Sequence, residues 1–178
     1  MKLVDTHIPE VKLVQLKLHH DARGFFCERY TPAISEALGI TFIQDNHSRS
    51  FAGVLRGIHF QHSPWQGKLV SVTHGRVLDV AVDLRKDSPT YKQHVAHELS
   101  DENGLMLWIP AGFGHGFCVL GDEPADVLYK VTTGYNPKGE GGIRYDDPEL
   151  NIRWPNENPV LSDRDKALPL LRDAVIPA

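Results

Sequence analysis

Val77-Leu78-Asp79-Val80-Ala81-Val82-Asp83-Leu84 reads as a β-strand, and its reading decides the fold class. Side chains alternate across a strand, so Leu78, Val80, Val82 and Leu84 share one face and Val77, Asp79, Ala81 and Asp83 the other. Segments 11–18, 68–73, 105–109, 117–120 and 125–133 are further strand candidates. The 15 glycines and 12 prolines are spread at short intervals, the punctuation expected of many short strands. Helices are scarce. Thr31-Pro32-Ala33-Ile34-Ser35-Glu36-Ala37-Leu38-Gly39 offers a cap, a proline at the first helical position and a glycine to end on. A second helix is expected from Ser162-Asp163-Arg164-Asp165 towards Leu168, with Ser162 and Asp165 spaced as reciprocal capping partners. Many strands with two short helices predict a β-sandwich or small barrel.

The 178 residues suit one domain, 1–178, with a sizeable core. Hydrophobic residues make up 41% and charged residues 24%, which places the chain with folded rather than disordered proteins. A formal charge of -4 argues against a nucleic-acid partner, which needs a basic face. No run is apolar enough for a membrane span, and Met1-Lys2-Leu3-Val4-Asp5-Thr6-His7 lacks the apolar core of a signal peptide. A cytoplasmic location is therefore expected, with Cys27 and Cys118 as reduced thiols.

Arg56-Gly57-Ile58-His59-Phe60-Gln61 and Gly67-Lys68-Leu69-Val70 carry the first chemical signal, and Ile109-Pro110-Ala111-Gly112-Phe113-Gly114-His115-Gly116-Phe117 carries the second. A base beside a fixed cation suits removal of a proton next to a carbonyl, with the cation holding the enolate. The same segments resemble the cupin metal signature. Gly104, five residues, then Pro110-x-Gly112-x-x-His115 matches its second half; Gly53, five residues, then His59 matches the start of its first. Gln61 then stands where a second histidine belongs, and no glutamate follows. A metal needs three or four converging donors, and Lys68 would repel it, so no metal is expected.

The motifs extend further. They include Asp21-Ala22-Arg23-Gly24-Phe25-Phe26-Cys27-Glu28, Gln44-Asp45-Asn46-His47-Ser48, Leu128-Tyr129-Lys130 and Leu161-Ser162-Asp163-Arg164-Asp165. Together with the segments above, from about residue 4 to 172, the chain resembles the dTDP-4-dehydrorhamnose 3,5-epimerases of rhamnose biosynthesis. The resemblance implies an all-β, cupin-like jelly-roll barrel, a homodimer, no metal and no cofactor. It also implies a dTDP-linked 4-keto-6-deoxy sugar as substrate, whose ketone acidifies the hydrogens on C3 and C5. By matching positions, His59 is the base, Tyr129 the acid, Lys68 the enolate cation and Asp165 the partner of His59. Arg23, Arg56 and His115 match positions around the phosphates and sugar. Glu28, Gln44, Asn46 and Glu140 match contacts at the nucleotide end, and Tyr135 matches a second active-site tyrosine. Asp79 and Asp83 share a strand face, and carboxylates inside a barrel are unusual unless used.

Gly114 stands where the family more often has alanine, a change expected to loosen a turn. His62-Ser63-Pro64-Trp65 is a less typical segment beside the sugar pocket. Tyr135 favours inversion at both centres, since single-centre relatives often alter it. Two other classes are distinguishable: a non-catalytic sugar-nucleotide-binding cupin, and a metal-dependent oxygenase that a chelator would inactivate.

Overall fold

The computed structural model describes residues 1–177. Its strands are β1 (Lys2–Asp5), β2 (Lys12–Gln15), β3 (His19–Asp21), β4 (Gly24–Phe26), β5 (Gln44–Ser50), β6 (Leu55–Gln61) and β7 (Lys68–His74). There follow β8 (Arg76–Asp83), β9 (His94–Ser100), β10 (Leu105–Ile109), β11 (Phe113–Val119), β12 (Ala125–Val131) and β13 (Glu140–Gly142). A six-stranded sheet runs β1-β2-β10-β7-β12-β5 and a five-stranded sheet runs β13-β6-β11-β8-β9. The named strands pair antiparallel throughout, and β3 and β4 form a separate hairpin. This is the expected all-β jelly-roll barrel.

The two sheets close on a core of Val70, Val72, Leu107, Ile109 and Val127 from one side and Val77, Ala81, Val95, Leu99, Phe113 and Phe117 from the other. The outer face of the five-stranded sheet is covered as well: Ile58, Phe60, Val80, Val82 and Leu84 pack under Ile143, Leu150, Leu171 and Ile176. Strand β8 is thus buried on both faces, apolar on the outer one and carrying Asp79 and Asp83 among Val77 and Ala81 on the inner one. Helix α1 (Pro32–Leu38) seals part of the other outer face through Ile34. Thr31 sits at its N-cap without a side-chain bond, and Gly39 ends it in the left-handed region at φ 67°.

Several local expectations change. Strand β11 starts at Phe113, not at 117, because Gly112 (φ +88°) makes the turn. Gly114 is therefore a strand residue, not part of a loosened turn: a Cβ there would lie 2.5 Å from Ile58 Cγ2. The second helix, α2 (Asp163–Lys166), is a single turn that stops short of Leu168. Strands β1, β3, β4, β5, β6, β9 and β13 are additional to the segments expected from sequence. In β5 the inward positions are polar, so no apolar alternation marks it.

Candidate active site

Ile58 and Phe60 point into the outer core, which turns His59 inward. His115 of β11 lies directly across from His59. Strict alternation would send Arg56 and His59 to opposite faces. A bulge prevents this: β11 pairs His115 with His59 but Phe117 with Arg56, so three steps on β6 match two on β11. Gly57 (φ +115°) occupies the bulge, where a Cβ would meet Gly116 Cα at 2.6 Å. Arg56 consequently shares the inner face, braced by bonds to Ser50 Oγ at 2.9 Å and Arg49 O at 3.2 Å.

The opposite sheet supplies the other half. Lys68 opens β7 and pairs with Val131 of β12; Tyr129 lies two residues from Val131 on the same inner face. Across from Tyr129 and Val131 on β5 sit Asn46 and Gln44, and Gln44 Nε2 donates to Asn46 Oδ1 at 2.8 Å. Lys68 Nζ stands 5.9 Å from the centroid of the Tyr129 ring.

Two histidine–carboxylate pairs hold the five-stranded side. His59 Nε2 lies 2.5 Å from Asp165 Oδ1, and His115 Nε2 lies 2.8 Å from Asp79 Oδ1. Asp165 is also the third residue of α2. Ser162 Oγ accepts from its backbone N–H and donates to its Oδ2, so the helix start and the histidine contact coexist. Asp79 is fully buried, and its Oδ2 has no hydrogen-bond partner. Asp83, on the same strand face, does different work: it fixes the following turn through Arg85, Ser88 and Thr90.

These environments set the charge states. Burial pulls the Lys68 ammonium down to about 8, against the attraction of Asp79 and Glu140. Burial likewise lowers His115, with Asp79 opposing and Lys68 and His59 adding to the effect, so its imidazole is neutral at pH 7. Burial raises the Tyr129 phenol, Arg56 opposes and Glu140 contributes, which keeps the proton on at neutral pH. For Asp165, burial pushes upward, but bonds from His59, Ser162 and the Gly57 N–H outweigh it and hold the carboxyl below its ordinary range. With a carboxylate accepting from Nε2–H, the lone pair of neutral His59 is on Nδ1.

A cleft of about 430 Å³ opens beside this cluster, lined by Arg56, His59, Ser162, Arg164 and Asp165 among others. At its edge Glu140 Oε2 accepts from Tyr135 Oη at 3.0 Å and pairs with Arg164 Nη1 at 3.0 Å. Two expected residues are not brought here within the one chain. Arg23 is on the exposed β3–β4 hairpin, paired with Asp21. Glu28 lines a different depression with Lys17, His19 and Thr31. Among the described residues, no three His, Cys, Asp or Glu side chains are grouped to hold a metal ion.

A family model described as dTDP-4-dehydrorhamnose 3,5-epimerase matches residues 5–173. The chain belongs to the dTDP-4-dehydrorhamnose 3,5-epimerase family. A family member from Pseudomonas aeruginosa is 50% identical over 178 residues, covering 98% of each chain. One from Shigella flexneri is 50% identical over 169 residues, covering 93% of each. The crystal structure of the dTDP-6-deoxy-D-glucose-3,5-epimerase from Legionella pneumophila, in complex with dTDP-4-keto-L-rhamnose, superposes with a TM-score of 0.92 at 49% identity. That match covers 97% of this chain and 93% of the other. Within this epimerase-family barrel, the residues missed from sequence are Gln61, Ser50 and Arg164. Arg164, on the single turn of α2, lines the cleft and pairs there with Glu140. Gln61 had a signal: it is the residue that breaks the cupin pattern.

Proposed function

We propose that this chain epimerises dTDP-4-dehydro-6-deoxy-D-glucose at C3 and C5 to dTDP-4-dehydro-L-rhamnose, without a metal. The observation that supports the reading is that the His59–Asp165 contact on the five-stranded side and the Lys68–Tyr129 contact on the six-stranded side both belong to inner faces of one barrel, with His59 and Lys68 both acting on His115. Inversion needs a base on one face of the sugar and an acid on the other, or the proton returns where it left. His59 Nδ1 takes the proton α to the C4 ketone, and Asp165 stabilises the resulting imidazolium. The Lys68 ammonium holds the enolate oxygen, a contact that strengthens as charge develops. Tyr129 delivers a proton to the opposite face. Arg56, with its planar fork, suits the diphosphate; His115, Asp79, Gln44, Asn46, Tyr135 and Glu140 complete the sugar and nucleotide contacts.

Residues 1–178 act as one cytoplasmic domain that pairs as a homodimer. The dimer is supported by the β3–β4 hairpin, which leaves Phe25 at 47% and Phe26 at 67% exposure. Arg23, as a phosphate and sugar contact, and Glu28, as a nucleotide-end contact, flank these phenylalanines.

The decisive test is incubation with dTDP-4-keto-6-deoxyglucose in D₂O, followed by NMR. Deuterium at both C3 and C5 of the inverted product is the expected result. Label at C3 alone would mean a single-centre enzyme, and no label would overturn the reading.

A further inference from the structure

Gln61 occupies the position at which the cupin pattern has a metal-binding histidine. It is only 5% exposed, and it shares the inner face of β6 with His59. Its side chain does not reach the histidines; it engages the backbone that follows β12. Oε1 accepts from Asn136 N–H at 2.8 Å, while Nε2 donates to Gly134 O at 3.1 Å. A carboxamide with its oxygen on an N–H and its nitrogen on a carbonyl acts as an extra peptide group, pairing on both sides of Tyr135. Gln66 adds a second tie, Nε2 to Thr133 O at 2.7 Å, and Asn136 Nδ2 returns a bond to Ser63 O at 2.8 Å. His62 N–H bonds Gly139 O at 2.9 Å, and β13 then pairs Glu140 with Gln61.

Tyr135 itself is 62% exposed, and no core packing holds its backbone in place. We infer that Gln61 is a positioning residue that fixes the loop around Tyr135 and Glu140, and so sets how tightly the nucleotide end of the substrate is held. This rests on the reading of Glu140 as a nucleotide-end contact and of Tyr135, bonded to it, as a second active-site tyrosine. The distinction from a structural role is physical. The barrel core lies elsewhere, so losing the tie should loosen one loop rather than the fold.

The test uses the full-length chain and thymidine diphosphate as probe, titrated calorimetrically, which does not depend on turnover. Gln61→Met keeps the length and removes the bonds to Gly134 O and Asn136 N–H together with the longer ones to Thr133 Oγ1 and Pro64 O. Gln61→Glu keeps the acceptor but turns a carboxylate oxygen against Gly134 O. Both should weaken binding of thymidine diphosphate by about tenfold or more, as expected for two lost hydrogen bonds to a loop. Both should raise KM more than they lower kcat. Tyr135→Ala combined with Gln61→Met should bind no more weakly than Tyr135→Ala alone, because the glutamine acts through that loop. Wild-type affinity in Gln61→Met, or penalties that add in the double variant, would overturn the inference. If wild-type protein binds thymidine diphosphate but labels no sugar in D₂O, the epimerase reading fails while the binding cycle still decides the role of Gln61. If Gln61→Met melts many degrees below wild type and Gln61→Glu does so too, the residue is structural and the inference also falls.

Discussion

His59 and Asp165 are 106 residues apart in the chain, yet His59 Nε2 lies 2.5 Å from Asp165 Oδ1. The contact fixes the imidazole tautomer and leaves Nδ1 as the basic atom. Asp165→Asn preserves the size and the Ser162 contact but removes the charge that stabilises imidazolium. We expect turnover to fall about 10²–10⁴-fold, comparable to His59→Ala, with a small change in melting temperature. Deuterium incorporation into product measures it; near-wild-type turnover in either variant would remove the pair from the mechanism.

Tyr129→Phe separates the two proton transfers. The base remains, so abstraction and return on one face persist, while inversion loses its donor. Product formation should fall about 10²–10⁴-fold. Deuterium in recovered, uninverted substrate should fall less. Equal loss of both would mean that the phenol does not act as the acid.

With Lys68 as the proposed enolate cation, the activity should have an alkaline limit. Its ammonium titrates at about 8 in the fold, so the enolate-stabilising charge is present below that pH and lost above it. The profile of kcat/KM should decline above about pH 8, and Lys68→Ala should lower kcat more than it raises KM. Stability carries the opposite sign. Between about 8 and the ordinary lysine value of 10.5, the unfolded chain binds more protons, so the contribution of Lys68 to stability rises with pH in that window. A kcat/KM profile that stays flat past pH 9 would contradict this assignment.

Asp83→Asn should destabilise the fold by about 3 kcal/mol, since it leaves Arg85 beside a neutral amide at a fully buried position. Burial opposes the Asp83 charge, but the bonds from Arg85, Ser88 and Thr90 prevail and hold its carboxyl at about 2. Its stabilisation is therefore complete above 3.8 and is lost as pH falls towards 2. Urea denaturation at pH 7 and at pH 3 would show a smaller difference between wild type and variant at the lower pH.

Gly114→Ala tests the packing behind the site. The added methyl would lie 2.5 Å from Ile58 Cγ2 and 3.1 Å from Leu84 Cδ1. Overpacking of this kind costs about 1–3 kcal/mol, read as a lowered melting temperature. Because Ile58 neighbours His59 on β6, turnover should fall with it.

Much of this barrel was legible in the residue order. The alternation of 77–84, with Asp79 and Asp83 on one face, survives intact in β8. Strand β5 was not legible, because Gln44, Asn46 and Ser48 line its inner face and a polar interior removes the apolar signal. Gly114 was expected to sit in a turn. Only Gly112 turns, whereas Gly114 and Gly116 sit in a strand pressed against Ile58.

Residue chemistry alone determined the family, the all-β class and the candidates for base, cation and phenol, since side-chain type and local spacing are properties of the chain. Tertiary structure decided the rest. The bulge at Gly57 turns Arg56 to the face of His59, the closing of two sheets buries Lys68 and shifts its titration, and a single helical turn delivers Asp165 to its histidine. Each depends on contacts between residues far apart in sequence, and dielectric environment and mutual orientation exist only once those contacts are made.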